Sequence, residues 1–275
     1  MVFKLIKIFT FIIIILNYNN TTAQNTNNDT IKITRLNKQY LKTYFTDTKK
    51  IIVSPIKWNK KQILTFGLFV GSSYLIYKQD LKINTFAQKN RTTLTNNISK
   101  YALEPFGSGL YSMSGIALLG LHGIIFKNNR SLNTSLLGIK TYIITGVVVT
   151  LPKILINRHR PYNDNPPNPN IFEGPSTKLF KSYPSGHTTS AFALATIIAS
   201  EYNDNLIIPV TAYSIAGLVG LSRINDNKHW ASDVFGGAVL GWAMGKLLYK
   251  TNKKNIYISP YKNKNSSGVA FNFEF

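Results

Sequence analysis

Four histidines occur in the 275-residue chain, and two of them sit in settings suited to phosphoryl chemistry. In SRINDNKHWASDV, residues 222–234, His229 precedes Asp233 by four positions, a spacing that lets the two meet on one helix face. An aspartate beside a histidine fixes its tautomer and raises its basicity, and the imidazole so held can act as base or as nucleophile. His187 follows Pro184, Ser185 and Gly186. Proline is preset for the first helical turn, so Ser185 and Gly186 leave bare backbone N–H groups at a helix start, a ready anion site. In KILINRHRPYN, Lys153 and Arg160 are seven apart, two helical turns, and so project from one face before Pro161 ends the helix. Ser222 and Arg223 close another apolar segment.

Each cluster alone has a plainer reading. Basic residues near a helix C-terminus complement its dipole, a solvated histidine can open a helix, and a His–Asp pair can be an ordinary surface contact. Their conjunction says more. Three cations (Lys153, Arg160 and Arg223), a helix N-terminus and a His–Asp pair all fall at helix ends that can share one side of a bundle. The sum is a pocket for a doubly charged phosphoryl group, with one histidine to attack and another to protonate the leaving oxygen.

The elements that must position these residues are apolar segments at Ile63–Tyr77, Gly107–Phe126, Ile139–Ile156, Thr188–Ser200, Leu206–Leu221 and Val234–Tyr249. Their lengths predict helices rather than strands, and the Gly and Ala along them predict close helix packing. The expected fold is all-α, a bundle of about six apolar helices. At the C-terminus, Val269, Phe271, Phe273 and Phe275 alternate with Ala270, Asn272 and Glu274 after a Gly-containing turn, a pattern for a small β-hairpin. At the N-terminus, Lys4 and Lys7 precede the apolar run IFTFIIIIL, with Thr21 and Ala23 placed for signal cleavage. The expected organisation is a signal peptide over 1–23, a polar leader with one short helix over 24–60, the helical domain over 61–250 and a tail or hairpin over 251–275. The chain is then exported. Its helices either sit in a membrane with the site facing the periplasm or form a soluble periplasmic domain; the uncharged stretches AYSIAGLVGL and GGAVLGWAMG favour the membrane.

Charged residues make up 16% of the chain, against about 25% in soluble domains. Net charge is +21, which suits an anionic partner. The lysines are scattered, with no basic block or interleaved aromatics, so nucleic acid is not the expected partner. Cysteine is absent, which excludes disulfides, thiol nucleophiles and thiolate metal sites.

The three clusters together resemble the type 2 phosphatidic acid phosphatase superfamily, whose members include lipid phosphatases, bacterial acid phosphatases and vanadium haloperoxidases on a helical core. KILINRHRP matches its first motif, PSGH its second, and SRINDNKH with WASD its third. The resemblance covers about residues 60–250. It implies that His229 is the nucleophile oriented by Asp233, and that His187 is the general acid and later the base for water. Lys153, Arg160 and Arg223 would hold the phosphoryl oxygens, with Ser185, Gly186 and Ser222 adding hydrogen bonds. No metal or other cofactor is implied. The expected substrate is a phosphorylated lipid (phosphatidic acid, a polyprenyl pyrophosphate or a lipid A phosphate), with a small phosphate ester, or vanadate in a haloperoxidase, as the alternatives. Outside the motifs, His159 reads as an extra basic neighbour and His122 as a helix-packing residue. Glu104 and Glu173 are unassigned, and the loop NDNPPNPNIFEGPSTKLFK is expected over the site entrance.

Overall fold

The structure, a computed structural model, describes residues 38–175, 181–253, 257–263 and 266–272. The expected signal peptide and the leader up to residue 37 lie outside the described residues. Helix α1 (Lys38–Val53) leads through a 3₁₀ turn (Ser54–Lys57) into α2 (Lys60–Tyr77), whose start is closed by a reciprocal cap between Asn59 and Gln62. Next come α3 (Asp80–Lys89), α4 (Thr93–Ile98), a π-helical turn (Ser99–Leu103) and the short α5 (Glu104–Gly107). Then follow α6 (Leu110–Ile125), α7 (Asn129–Val148), α8 (Thr150–Ile156), α9 (Gly186–Glu201), α10 (Ile207–Asn225) and α11 (Ala231–Lys253). An antiparallel pair, β1 (Tyr257–Asn263) and β2 (Ser266–Asn272), runs in register from Tyr257↔Asn272 to Asn263↔Ser266. Gly268 therefore lies within β2, opposite Tyr261, and not in the turn.

All six apolar segments are helical, as their lengths required. The segment expected at 139–156 is in fact α7 and α8, broken at Val149. The cause is Pro152, which has no N–H to offer the carbonyl of Val148. Residues 38–53, within the leader expected to carry one short helix, form a 16-residue helix docked on the bundle through buried Tyr40 and Ile51.

The bundle is organised around α9, which has Ala193, Ile197 and Thr196 fully buried. It packs most closely on α11, and the reason is a stripe of glycines. A Cβ at Gly237 would lie 2.6 Å from the Ser185 carbonyl oxygen, one at Gly241 2.2 Å from that of Thr189, and one at Gly245 2.7 Å from Thr196 Cβ. The pairs advance together along both chains, so α9 and α11 are parallel and start at the same end. Glycine alone permits this approach. The other helices alternate: α2, α8 and α10 end where α9 and α11 begin.

By length and composition, Asn129–Ile156 and Ile207–Asn225 can each cross a membrane, and Thr93–Gly107 with Leu110–Ile125, bent by 49°, makes a third candidate. Large apolar side chains stand exposed on these helices and on α2, among them Leu64, Leu68, Ile125, Val147 and Ile207. A surface of this kind marks contact with lipid or with a partner.

At the end of the bundle away from those converging starts, Lys140 of α7 is completely buried. Its ammonium pairs with Asp47 of α1 and donates to Thr43 Oγ1 (2.8 Å) and to Asn252 Oδ1 of α11 (3.2 Å). A buried ion is tolerated only with such partners, so this cluster pins α1 to the bundle. Asp47→Ala leaves the ammonium uncompensated and is expected to destabilise the protein by about 3–5 kcal/mol. The midpoint of thermal unfolding in detergent measures this; a midpoint unchanged from wild type would contradict it.

Candidate active site

The parallel start of α9 and α11 brings His187 and His229 to one cleft. A space of about 640 Å³ is lined by both histidines, by Arg160 and Arg223, and by Glu104 and Lys228 among others. Two helix N-termini thus face one cleft, and each favours an anion. His187 is the second residue of α9 and its side chain is 34% exposed. His229 is buried at 3% exposure, in the link between α10 and α11.

The feature beneath the cleft is Arg158, a residue that the motif spacing does not single out. Its guanidinium is buried and fully engaged. Nη1 donates to Asp233 Oδ1 (2.7 Å) and Ser232 Oγ (2.8 Å), Nη2 to Asp80 Oδ2 (2.7 Å) and the Pro169 carbonyl (2.9 Å), and Nε to that same carbonyl (3.1 Å). Tyr77, Phe172 and Trp230 surround it, with ring centroids 5.2–5.4 Å from its central carbon. Asp80, the first residue of α3, also accepts from the backbone N–H of Ser232 (2.8 Å) and from its hydroxyl. One cation therefore ties the start of α3 to the start of α11.

Asp233 is held on every side. Besides Arg158 it accepts from Ser182 Oγ (2.5 Å) and from the backbone N–H of Trp230 (2.9 Å), and its own carbonyl accepts from Ser185 N (2.9 Å). That last bond joins the starts of α9 and α11. Burial alone would raise the Asp233 carboxyl; the adjacent His229, Arg158 and Ser182 outweigh it and hold it below the usual carboxylate range.

The expected helix-face pair of His229 and Asp233 takes a different form. The helix begins at Ala231, so His229 precedes it, while Asp233 caps its first turn by reaching back to Trp230. His229 Nδ1 lies 3.7 Å from Asp233 Oδ2, an electrostatic contact longer than a hydrogen bond, and it has no hydrogen-bond partner among the described residues. Burial pushes the His229 imidazole down to about 4, with Lys153 and Arg160 adding to the effect and Asp233 opposing it. It is neutral across the physiological range.

Lys153 and Arg160 do not share a helix face. Asn157 adopts φ 44° in the left-handed region and ends α8 at Ile156. Arg158 then pairs in an antiparallel bridge with Phe172, with His159 N donating to the Ile171 carbonyl (3.0 Å) and Glu173 N to that of Asn157 (3.2 Å). Both cations nonetheless reach the site. Arg160 lines the cleft, and the Lys153 stem passes 3.5 Å from where a Cβ on Gly186 would stand while Nζ donates to the Lys181 carbonyl (2.8 Å). Arg223 lines the cleft and is paired with Asp226.

The remaining expected ligands differ among themselves. Ser185 caps α9 and is fully buried; its oxygen accepts from Thr188 Oγ1 (2.9 Å), which leaves its own proton to give. Ser222 donates to the carbonyl of Val219 (2.7 Å), so its proton is already used within its helix. Among the described residues, the Asn- and Pro-rich loop does not line the cleft of the histidines. Its residues 163–171 line a separate space of about 770 Å³ with Tyr77, Lys78 and Leu81, and its Pro169 carbonyl buttresses Arg158. His159 sits between Asp164 (3.0 Å) and Glu173 (3.2 Å), anchoring that loop. His122 bonds Ser131 (3.1 Å) between α6 and α7, the expected packing role.

Residues 135–257 match the family model described as PAP2 superfamily. Over 76 residues the chain is 46% identical to lipid A 1-phosphatase of Porphyromonas gingivalis, which covers 27% of this chain and 17% of that protein. Over 83 residues it is 34% identical to probable diacylglycerol pyrophosphate phosphatase 1 of Schizosaccharomyces pombe, covering 26% and 30% respectively. The chain thus spans less than a third of the length of these two relatives. The crystal structure of Aquifex aeolicus LpxE overlays with a TM-score of 0.48 at 24% identity, over 62% of this chain and 94% of that one. The segment that matches the PAP2 superfamily holds Lys153, Arg160, His187, Arg223, His229 and Asp233 together.

Proposed function

We propose that the protein is a phosphatase that removes a phosphate group from a lipid through a phosphohistidine intermediate. The observation that carries this reading is the cleft itself, which a buried neutral histidine and a second, more accessible histidine line together among cations at two converging helix starts. His229 Nδ1 is turned to Asp233, which leaves Nε2 for the phosphorus. As the N–P bond forms and the P–O bond to the lipid breaks, His187 gives its proton to the leaving oxygen. Water then attacks phosphorus, His187 takes a proton from it, and the N–P bond breaks to free His229. Arg160, Arg223 and Lys153 stabilise the negative charge of the phosphoryl group throughout.

The names of the relatives, the apolar surface and the membrane-crossing candidates all support a lipid as the group that carries the phosphate. The protein is then membrane-embedded. The periplasm-facing orientation stays with the N-terminal sequence pattern.

Phosphate release from phosphatidic acid, undecaprenyl pyrophosphate, lipid A and a small aryl phosphate tests the reading. At least one lipid is expected to be cleaved faster than the aryl ester, His229→Ala to fall to background, and His187→Asn to lose about 10²–10⁴-fold. Cleavage of the aryl phosphate alone would rule out the lipid assignment, and a fully active His229→Ala would rule out the nucleophile. The pH profile is a second test. The His187 imidazole is pushed below its ordinary value by burial and by Arg223 and Arg160, against the pull of Glu104. The acid must carry its proton and the nucleophile must lack one, so kcat/KM is expected to fall below about pH 4 as His229 protonates and to decline above a limb lying under about 6.5. A profile that keeps rising through pH 8 would contradict the assignment of His187 as acid.

A further inference from the structure

Glu104 belongs to none of the stretches that carry the histidines, yet its carboxylate reaches their cleft. Its Oε1 lies 3.1 Å from His187 Nε2 and 3.9 Å from Arg223 Nη1. One oxygen thus faces both an imidazole and a cation of the site. The placement is built into the fold. The π-helical turn Ser99–Leu103 delivers Glu104 to the start of α5, and extra residues of this kind in a helix recur at functional sites. The turn is anchored, with Ser99 buried and bonded to the Ser222 carbonyl (3.4 Å). At its far end a Cβ on Gly107 would come within 2.8 Å of His187 Cβ and 2.9 Å of Cδ2, so the backbone of α5 lies directly against the ring.

A carboxylate beside a phosphate site repels the substrate, so its presence calls for a compensating task. The charges around His187 show what that task is. Arg223 and Asp226 face it from the end of α10, Lys228 and His229 from the link to α11, and Arg160 and Lys153 from α8 and the segment beyond. Arg91 and Lys100 line the cleft from the α3–α5 side. Cations outnumber carboxylates, and Asp226 is already paired with Arg223. Glu104 is the carboxylate in contact with the ring.

We propose, on the basis of the phosphatase reading, that Glu104 is a positioning residue: it holds His187 by Nε2 so that the ring keeps a proton for the leaving oxygen on Nδ1, and it competes with phosphate for Arg223. The same carboxylate then serves two steps. It keeps His187 charged while the P–O bond breaks, and it weakens the hold on inorganic phosphate once the N–P bond has been hydrolysed. Burial and the cations disfavour a charged His187, and the Glu104 carboxylate opposes both. Glu104 mirrors Asp233, so that each histidine of the site has its own carboxylate.

Glu104→Gln tests this in the full-length protein in detergent, with whichever lipid of the panel the wild type cleaves. The alkaline limb of kcat/KM is expected to move down by about one pH unit, so that turnover above the limb falls about tenfold. Inhibition by inorganic phosphate is expected to tighten several-fold at the same time, a change that a merely structural role would not produce. The substrate's own ionisation is common to both proteins and cancels in the comparison. Glu104→Asp keeps the charge one carbon further back and is expected to move the limb part of the way; it also carries the test should the Gln variant not fold. An unmoved limb with unchanged phosphate inhibition overturns the proposal. A wild type that releases no phosphate from any lipid of the panel overturns the phosphatase reading on which it rests, whereas an active wild type with an unaltered variant overturns the role of Glu104 alone.

Discussion

A guanidinium buried to 1% exposure must find a partner for each of its N–H groups, and the bundle end is built around satisfying Arg158. Two carboxylates, a hydroxyl and a carbonyl do so, and they come from the start of α3, the start of α11 and the loop after α8. The Arg158–Asp233 contact matters most. It fixes a carboxylate whose other atoms cap α11 and bond the starts of two helices together. Losing one partner of such a buried pair costs about 3–5 kcal/mol, so the arrangement resists drift. His229 lies directly beside the residue that Arg158 immobilises.

The second constraint is steric. Gly237, Gly241 and Gly245 let α11 lie close along α9, and their parallel course puts two N-terminal dipoles and two histidines at one cleft. The cations do not depend on a shared helix face. They arrive from separate elements, Lys153 from α8, Arg160 from the segment beyond it and Arg223 from the end of α10. The electrostatics that would hold a phosphoryl group thus come from three cation-bearing segments and two helix starts, and burial together with those cations keeps both imidazoles below their ordinary range.

The helices and the motif residues were legible in the sequence because apolar length and the spacing of His, Ser and Arg are local signals. What lay beyond it depends on distant partners. Arg158 stands between His159 and Asn157 in a run of basic residues, and nothing local tells which cation turns inward; a hint was available in the scarcity of acids, since a chain with 11 Asp and Glu has few to spare for Asp80 and Asp233. The break after α8 follows from Asn157 adopting a left-handed conformation that many sequences tolerate without it. The docking of α1 on the bundle was not legible because Asp47 and Lys140, 93 positions apart, only neutralise each other after folding. Glu104 was equally silent, being placed by a π-helical turn that has no sequence signature.

The proposed reaction requires His229 to be the nucleophile that bonds phosphorus. Rapid quenching of the protein with phosphorus-labelled lipid substrate, followed by peptide mapping, tests this directly. The account predicts a label on the peptide that contains His229, stable in alkali and lost in acid as phosphohistidine is. A label on a serine or on no residue, with phosphate still released, would contradict it.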